Sequence, residues 1–157
     1  MGKVKIEFYQ KGQETAIHQL IKTVYDEFVS GDYSEEGNQF FYDWIHPLRI
    51  AERQQTSESL LVAKVGSKLA GMIEIRDNHT ISLLFVDKAY QRQGIARKLL
   101  REALKKCIRR NVMPDRIYVH ASPFSMPVYK KLGFVETDAM QEENGIKYVP
   151  MEMRIKK

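Results

Sequence analysis

A glycine-containing turn between a strand and a basic helix carries the clearest chemical signal in this sequence. Residues 81–86 are apolar enough for a buried strand, and an amphipathic helical pattern begins after Gly94. The first turn of a helix has backbone N–H groups without partners and the positive end of the dipole, so it attracts anions. Gly94 and Ala96 are small enough to let a diphosphate approach the backbone, and Arg97 adds charge. The stretch predicts a phosphate-binding turn, although an ordinary helix start with a solvated basic face is the alternative.

Two segments resemble conserved blocks of a known superfamily. Gln91-x-x-Gly94-x-Ala96 resembles the Gln/Arg-x-x-Gly-x-Gly/Ala signature of the GNAT acyl-CoA-dependent N-acetyltransferases. Residues 117–134, IYVHASPFSMPVYKKLGF, resemble the superfamily's later strand and short helix, which carries a tyrosine and closes with Leu-Gly-Phe. The blocks stand in the family's order and spacing, and the resemblance covers most of the chain.

The elements around these blocks predict an α/β fold. Strand patterns occupy the region of residues 4–8 and residues 60–65, 69–76, 81–86, 116–121, 134–138 and 146–155. Helical patterns occupy residues 14–29 and the basic stretch after Gly94, with a short helix within 122–132. We expect Pro47 to interrupt any helix in the irregular segment 32–55, and residues 141–145 to form a polar turn. Together with the resemblance, these patterns predict one GNAT-type domain over residues 1–157, a mixed, twisted sheet of six to seven strands flanked by helices.

The resemblance implies where acetyl-CoA would bind. The backbone of Phe85 and Val86 would bond to the pantetheine arm, which runs like an extra strand where two sheet strands separate. Ser122 occupies a position where many members carry asparagine, so its cofactor contact is a weaker expectation. The pyrophosphate would be surrounded by the residues of the turn, namely Gln91, Gln93, Gly94, Ile95, Ala96 and Arg97.

Acetyl transfer to an amine needs an acid for the departing thiolate and a base for the amine. By resemblance Tyr129 is the acid, because a phenol with a pKa near 10 stays protonated at neutral pH; the alternative is that it only packs on the pantetheine. The base is open among Glu74, His79 and His120, chosen by their location, or a chain of water molecules. No residue is expected to form a covalent acyl-enzyme.

The acceptor site is expected in segment 32–55, which is where family members differ most. Aromatic faces and carboxylates both attract a cationic amine, so Tyr33, Phe40, Tyr42 or Asp43 could contact the substrate. The alternative is that the aromatic cluster is ordinary packing.

Composition restricts the remaining function classes. The net charge of +5 combines −4 over residues 1–60, from six basic and ten acidic residues, with +9 over residues 61–157, from nineteen and ten. This suits a phosphorylated cofactor on the second part and a cationic amine on the first. A single cysteine suits a reducing cytoplasm, and the sequence has no apolar run of membrane-spanning length and no histidine spacing typical of a metal site.

Two other functions stay open from the residues. A non-catalytic acyl-CoA sensor would need only the binding turn, and a transferase acting on aminoacyl-tRNA would use the basic helix. The absence of an aromatic platform or a DNA-binding motif argues against nucleic acid. A homodimer is possible, with residues 146–155 as a pairing edge.

Overall fold

A mixed sheet with helices on both faces forms the structure, a computed structural model that describes residues 3–155. Its strands are β1 (Val4–Phe8), β2 (Leu60–Val65), β3 (Lys68–Arg76), β4 (Thr80–Val86), β5 (Arg116–Ala121), β6 (Val135–Glu136), β7 (Gln141–Glu143) and β8 (Ile146–Arg154). Its α-helices are α1 (Glu14–Phe28), α2 (Glu35–Trp44), α3 (Pro47–Thr56), α4 (Ile95–Lys106) and α5 (Met126–Leu132). The order β1-β2-β3-β4-β5-β8-β6 is antiparallel except between β4 and β5, and β7 pairs with β8. The predicted α/β fold is confirmed.

The sheet buries apolar side chains on both faces. On one face α4 and α5 pack on the strands through residues such as Leu99 and Leu132. On the other face α1 and α3 cover β2 to β4, and Ile17 and Ile50 are fully buried there. Gly71 allows α4 to pack closely, because a Cβ there would lie 3.0 Å from the Phe85 carbonyl oxygen and 3.2 Å from a Leu99 methyl group. The helices are thereby fixed against the strands whose ends form the site.

Two local predictions differ from the structure, and one is confirmed. Pro47 does interrupt the helices of segment 32–55: α2 ends at Trp44, and Pro47 begins the separate helix α3, where the first helical position needs no N–H donor. Residues 141–143 of the expected turn form β7, since the hairpin needs only Asn144 and Gly145, whose φ angles of 53° and 78° suit a tight turn. The sheet therefore has eight strands instead of six to seven.

The expected pairing edge is also different. β8 pairs with β5 on one side and with β6 and β7 on the other, so it is not free to add a second chain. Among residues 3–155, no helix combines the length and apolar character needed to cross a lipid bilayer.

Candidate functional site

The two parallel strands at the centre of the sheet separate soon after they meet. β4 and β5 pair only at Thr80–Tyr118 and Ile81–Val119. Directly after that point β4 contains a bulge, since Leu83 pairs with Glu74 of β3 and Ile81 pairs with Ile75, which leaves Ser82 as the extra residue. A bulge bends its strand, and the rest of β4 leaves β5 unpaired. The result is a gap between the C-terminal parts of β4 and β5.

The register of β4 decides which backbone groups face this gap. Asp87 N–H donates to Ala70 O at 2.8 Å, so Val86 and, by the alternation of a strand, Leu84 direct their backbone groups away from β3. The backbone of Phe85 instead faces Met72 of β3. Of the two residues predicted to bond to the pantetheine arm, Val86 directs its backbone toward the gap and Phe85 does not, and Leu84 shares the orientation of Val86. Sequence reasoning missed Leu84 because the backbone groups of a strand alternate in direction. Which residues face the gap is known only after one hydrogen bond between β4 and β3 has been located.

The turn after β4 leads to the N-terminus of α4. Gly94 caps the helix with φ of 82°, and a Cβ there would meet no atom within 4 Å, so the space beside this backbone is open. The first bond of the helix runs from Lys98 N–H to Gly94 O at 3.1 Å, which leaves the preceding N–H groups, including those of Ile95 and Ala96, for a ligand. Ile95 is buried and offers only its backbone. The turn therefore has the form of an anion site.

Long side chains around the turn hold it in place. Gln91 Nε2 donates to Val86 O at 3.0 Å, and Gln93 Nε2 donates to Ala89 O at 3.4 Å. Arg97 Nη2 donates to Lys131 O at 2.8 Å, which ties α4 to the end of α5. These three predicted cofactor residues are brought together at the turn, where their side chains bond to the protein's own carbonyl groups.

Tyr129 lies on α5 and is 5% exposed. Its ring meets Phe134 edge-on at 5.4 Å, and its hydroxyl has no hydrogen-bond partner within residues 3–155. Burial raises the pKa of Tyr129 above its usual range, with a smaller contribution from the Tyr33 phenol, so the group is protonated at neutral pH. Ser122 is used locally: its Oγ lies 2.8 Å from Ser125 Oγ and accepts from Ser125 N–H at 3.2 Å at the start of α5.

The carboxylate of Glu74 is already occupied. Arg53 donates to it twice, from Nε at 2.9 Å and from Nη2 at 3.0 Å, and Gln54 donates at 3.0 Å. The residue is only 2% exposed. This arrangement is typical of a buried structural ion pair, and it leaves little of the carboxylate for a substrate proton.

Of the two histidine candidates, His120 lies closer to the gap. It follows Val119, the last residue of β5 that pairs with β4, and its ring stacks on Tyr148 with centroids 4.2 Å apart. Partial burial, helped by the charge of Arg76, holds the pKa of His120 below its ordinary value, while Glu143 opposes this shift. The imidazole is therefore neutral at neutral pH. His79 is engaged elsewhere, with Nδ1 2.7 Å from Thr80 Oγ1.

Two of the four expected acceptor residues, Tyr33 and Tyr42, meet the Tyr25 ring edge-on, whereas Phe40 and Asp43 lie at the surface. Tyr33 is largely buried, its ring lies 5.8 Å from that of Tyr25, and burial with the nearby Asp32 charge raises its pKa to about 12. Phe40 is 54% exposed on the outer side of α2. Tyr42 donates to Asp26, which also holds Lys22, and Asp43 pairs with Arg49 at 3.2 Å. Of this set only Tyr33 interacts electrostatically with Tyr129.

Sequence reasoning missed two aromatic residues of α2 that reach β4, Phe41 and Trp44. Phe41 stacks on Tyr25 at 3.9 Å, and its ring lies 6.0 Å from that of Phe85. The helical position of Phe41 relative to Trp44, which donates from Nε1 to Ser82 Oγ at 3.1 Å, could have indicated this inward face.

A contact that we call the clasp, formed by Ser34, Gly37 and Gly145, joins the start of α2 to the β7–β8 turn. Ser34 N–H donates to Gly145 O at 3.0 Å, and Gly37 N–H donates to Ser34 Oγ at 3.1 Å. The approach is so close that a Cβ on Gly37 would lie 2.3 Å from Gly145 O, and one on Gly145 would lie 1.8 Å from Ser34 Oγ. The clasp connects the N-terminal helices to the C-terminal hairpin.

The far end of the gap is bridged from α1. Phe28 stacks on Phe124, which follows β5, with ring centroids 4.7 Å apart. Glu27 pairs with Lys88, which follows β4, at 2.9 Å. Within residues 3–155 no three histidine, cysteine, aspartate or glutamate side chains cluster as metal ligands would.

Comparison with known proteins identifies the family to which the chain belongs. Residues 29–155 match the family model described as an acetyltransferase (GNAT) domain. No curated protein matches the chain significantly in sequence. The solved structures that resemble it include a GCN5-related N-acetyltransferase from Rhodopseudomonas palustris, with a TM-score of 0.81 and 18% identity over 99% of this chain and 98% of that one.

Two further structures are similar over nearly the whole of both chains. PaiA N-acetyltransferase from Thermoplasma acidophilum, in complex with coenzyme A, has a TM-score of 0.75 and 21% identity over 98% of this chain and 99% of that one. The ribosomal-protein-S18-alanine N-acetyltransferase from Escherichia coli has a TM-score of 0.64 and 18% identity over 98% and 94%. At these identities the likeness establishes the fold. Because the family model covers well over half of the sequence, the chain belongs to the GNAT family of acetyl-CoA-dependent N-acetyltransferases.

Proposed function

We propose that this protein, as a single domain over residues 1–157, transfers the acetyl group of acetyl-CoA directly to a primary amine of a small molecule, peptide or protein. The observation that carries the proposal is the gap between β4 and β5, with an anion site at the start of α4, a buried phenol and a neutral imidazole around it. The proposed location is the cytoplasm, on the basis of the single cysteine.

The gap suits the extended arm of the donor. A pantetheine chain carries amide groups and could bond to the gap-facing backbone of Leu84 and Val86, as an added strand would. The diphosphate would then accept from the free N–H groups at the start of α4, where the helix dipole favours negative charge. The coenzyme A in the T. acidophilum structure supports a cofactor of this kind.

His120 is the base that the geometry favours. An amine is bound as its ammonium ion at neutral pH, and the neutral imidazole takes one proton from it. The freed amine nitrogen attacks the thioester carbonyl carbon, so that the C–N bond forms while a backbone N–H of Leu84 or Val86 stabilises the oxyanion. Glu74 is not used, because Arg53 and Gln54 already occupy its carboxylate.

Collapse of the tetrahedral intermediate breaks the C–S bond, and Tyr129 donates to the sulfur as negative charge develops there. The second amine proton ends on the thiol, and the proton on His120 returns to solvent. Because burial raises the pKa of Tyr129, its role is a hydrogen-bond donor to the thiolate more than a strong acid. Direct transfer is favoured because burial raises the pKa of the Cys107 thiol to about 12, which suppresses a nucleophilic thiolate.

The proposal is tested by thiol release from acetyl-CoA with a panel of polyamines, amino acids, aminoglycosides and N-terminal peptides. Turnover with one amine class, and loss of turnover in His120→Gln with unchanged acetyl-CoA binding by calorimetry, is the expected result. Acetyl-CoA binding without turnover on any amine would favour the sensor alternative. Steeply salt-dependent binding of tRNA would favour an aminoacyl-tRNA acceptor, and light scattering would test the homodimer.

A further inference from the structure

We propose that Tyr148 is a positioning residue that holds the His120 imidazole beside the gap, and that Glu143 fixes Tyr148 from the neighbouring strand β7. This inference rests on the proposed function, in which His120 accepts the amine proton. It adds two residues of the C-terminal hairpin to the machinery of the reaction.

The first step is the contact between the two rings. His120 lies opposite Pro150 in the β5–β8 register, and Tyr148 lies two residues before Pro150, so both side chains share one face of the sheet. The rings are 4.2 Å apart and nearly parallel, with an interplanar angle of 15°. Neither ring nitrogen of His120 has a hydrogen-bond partner within residues 3–155. The face of Tyr148 therefore sets the orientation of the imidazole, and both nitrogens stay available.

The second step is what holds Tyr148. It is 5% exposed, and its hydroxyl lies 3.0 Å from Glu143 Oε1 and 3.2 Å from Gln141 Oε1, both on β7. The turn that joins β7 to β8 is held in the clasp through Gly145. The ring is thus fixed by its own strand and by the next one, as a group that must position a base should be.

The third step is the charge around His120. Arg76 on β3 and Glu143 on β7 are the charged groups that act on it, and Tyr148 on β8 limits its contact with water. Arg76 and burial lower the pKa of His120, and Glu143 raises it. Removing the Tyr148 ring should therefore raise the pKa of His120, whereas removing the Glu143 charge should lower it.

These opposite signs give a test that a merely structural role would not pass. Tyr148→Leu removes the ring, Glu143→Gln removes the charge but keeps the shape, and Tyr148→Phe is the matched control that keeps the stack. The pKa of His120 is read by NMR titration of its imidazole protons, with the signal assigned from His120→Gln. The acid limb of kcat/KM against pH is recorded on the same proteins, after thermal unfolding has shown that each is folded.

We expect both readouts to move to higher pH in Tyr148→Leu and to lower pH in Glu143→Gln. In Tyr148→Leu we also expect kcat to fall about tenfold, because a displaced base transfers protons poorly, with KM for acetyl-CoA nearly unchanged. Tyr148→Phe keeps the stacked ring and loses only the hydroxyl bonds. The pKa of His120 should therefore change less in Tyr148→Phe than in Tyr148→Leu.

Shifts of one sign in both variants, or no shift in either, would overturn the inference. If the NMR pKa moves as expected but the acid limb does not, His120 is not the base and the positioning of a base is rejected. If the wild-type protein acetylates no amine, the proposed function fails, and the NMR arm alone still decides whether Tyr148 and Glu143 control the imidazole.

Discussion

Replacing Glu74 by glutamine should reduce stability far more than catalysis. The Glu74 carboxylate is 2% exposed and accepts three hydrogen bonds, two of them from Arg53. Arg53 in turn donates to Trp44 O at 2.8 Å and lies over the Trp44 ring at 4.0 Å. The pair therefore connects β3 to the helices α2 and α3.

The expected loss of stability follows from the unpaired groups that the substitution leaves in the protein. Glu74→Gln keeps the shape but leaves the Arg53 guanidinium without a counterion and turns an amide N–H₂ toward its donors. Breaking a buried pair on one side costs about 3–5 kcal/mol, and the 20% exposure of the Arg53 side chain points to the lower end, about 3 kcal/mol. For a chain of this size that loss lowers Tm by about 6–12 °C. We expect kcat to change less than about threefold, since no proton transfer is lost.

Urea unfolding followed by circular dichroism gives the stability, and thiol release below the transition gives kcat. Arg53→Met is the matched variant, because it removes the same pair from the other side and should be at least as destabilising. The double variant Arg53→Met/Glu74→Leu should recover much of the loss, since replacing both partners of a buried pair leaves no unpaired charge. A fall in kcat of about a hundredfold or more in Glu74→Gln, with unfolding unchanged, would refute this reasoning and make Glu74 the base.

Four further predictions concern the gap and its surroundings. Tyr129→Phe keeps the packing but loses the donor to sulfur, so kcat should fall about 10–100-fold with acetyl-CoA affinity retained, measured by thiol release and calorimetry. In Gly94→Ala the alanine must adopt φ of 82°, which costs about 1 kcal/mol of stability. Its methyl group would occupy the open space of the anion site, so acetyl-CoA should bind more weakly in calorimetry, while kcat at saturating acetyl-CoA is retained. Gly37→Ala would place a Cβ 2.3 Å from Gly145 O, so hydrogen exchange at the clasp should accelerate and KM for the amine should rise, with acetyl-CoA binding unchanged. Because the folded-state pKa of His120 is depressed, neutral His120 favours the fold above its unfolded pKa near 6.5, and this contribution is lost as pH falls. The acid limb of kcat/KM should have its midpoint below 6.5, and the residual activity of His120→Gln should not show it.

The candidate anion turn could be recognised in the sequence because its elements are local. A strand, a glycine turn and a helix start are successive in the chain, and the small residues Gly94 and Ala96 mark the turn directly. The acid candidate Tyr129 likewise lies within a recognisable block, residues 117–134. The bulge at Ser82 could not be predicted from a local pattern. A residue is recognised as extra only when the pairing of β4 with β3 is known.

The acceptor side could not be predicted because it depends on contacts between distant segments. The strand position of Glu74 makes it a candidate base, whereas its ion pair with Arg53, 21 positions earlier, is visible only in the folded chain. The inward aromatic of α2 is Phe41 and not its neighbour Phe40, a difference that depends on how the helix is rotated against β4. The role of residues 141–143 as a strand likewise depends on pairing with β8.

The clasp has a consequence for the order in which parts of the protein fold. The glycine turn and the gap-facing backbone of β4 lie within residues 84–97, whereas the clasp joins Ser34 to Gly145 and can form only after nearly the whole chain has been made. Closing so long a loop costs more entropy than forming a local turn, so the clasp should be among the last contacts to form and the first to open. A growing or partly opened chain would thus form the turn before α4 earlier than the contact between its N-terminal helices and its C-terminal hairpin.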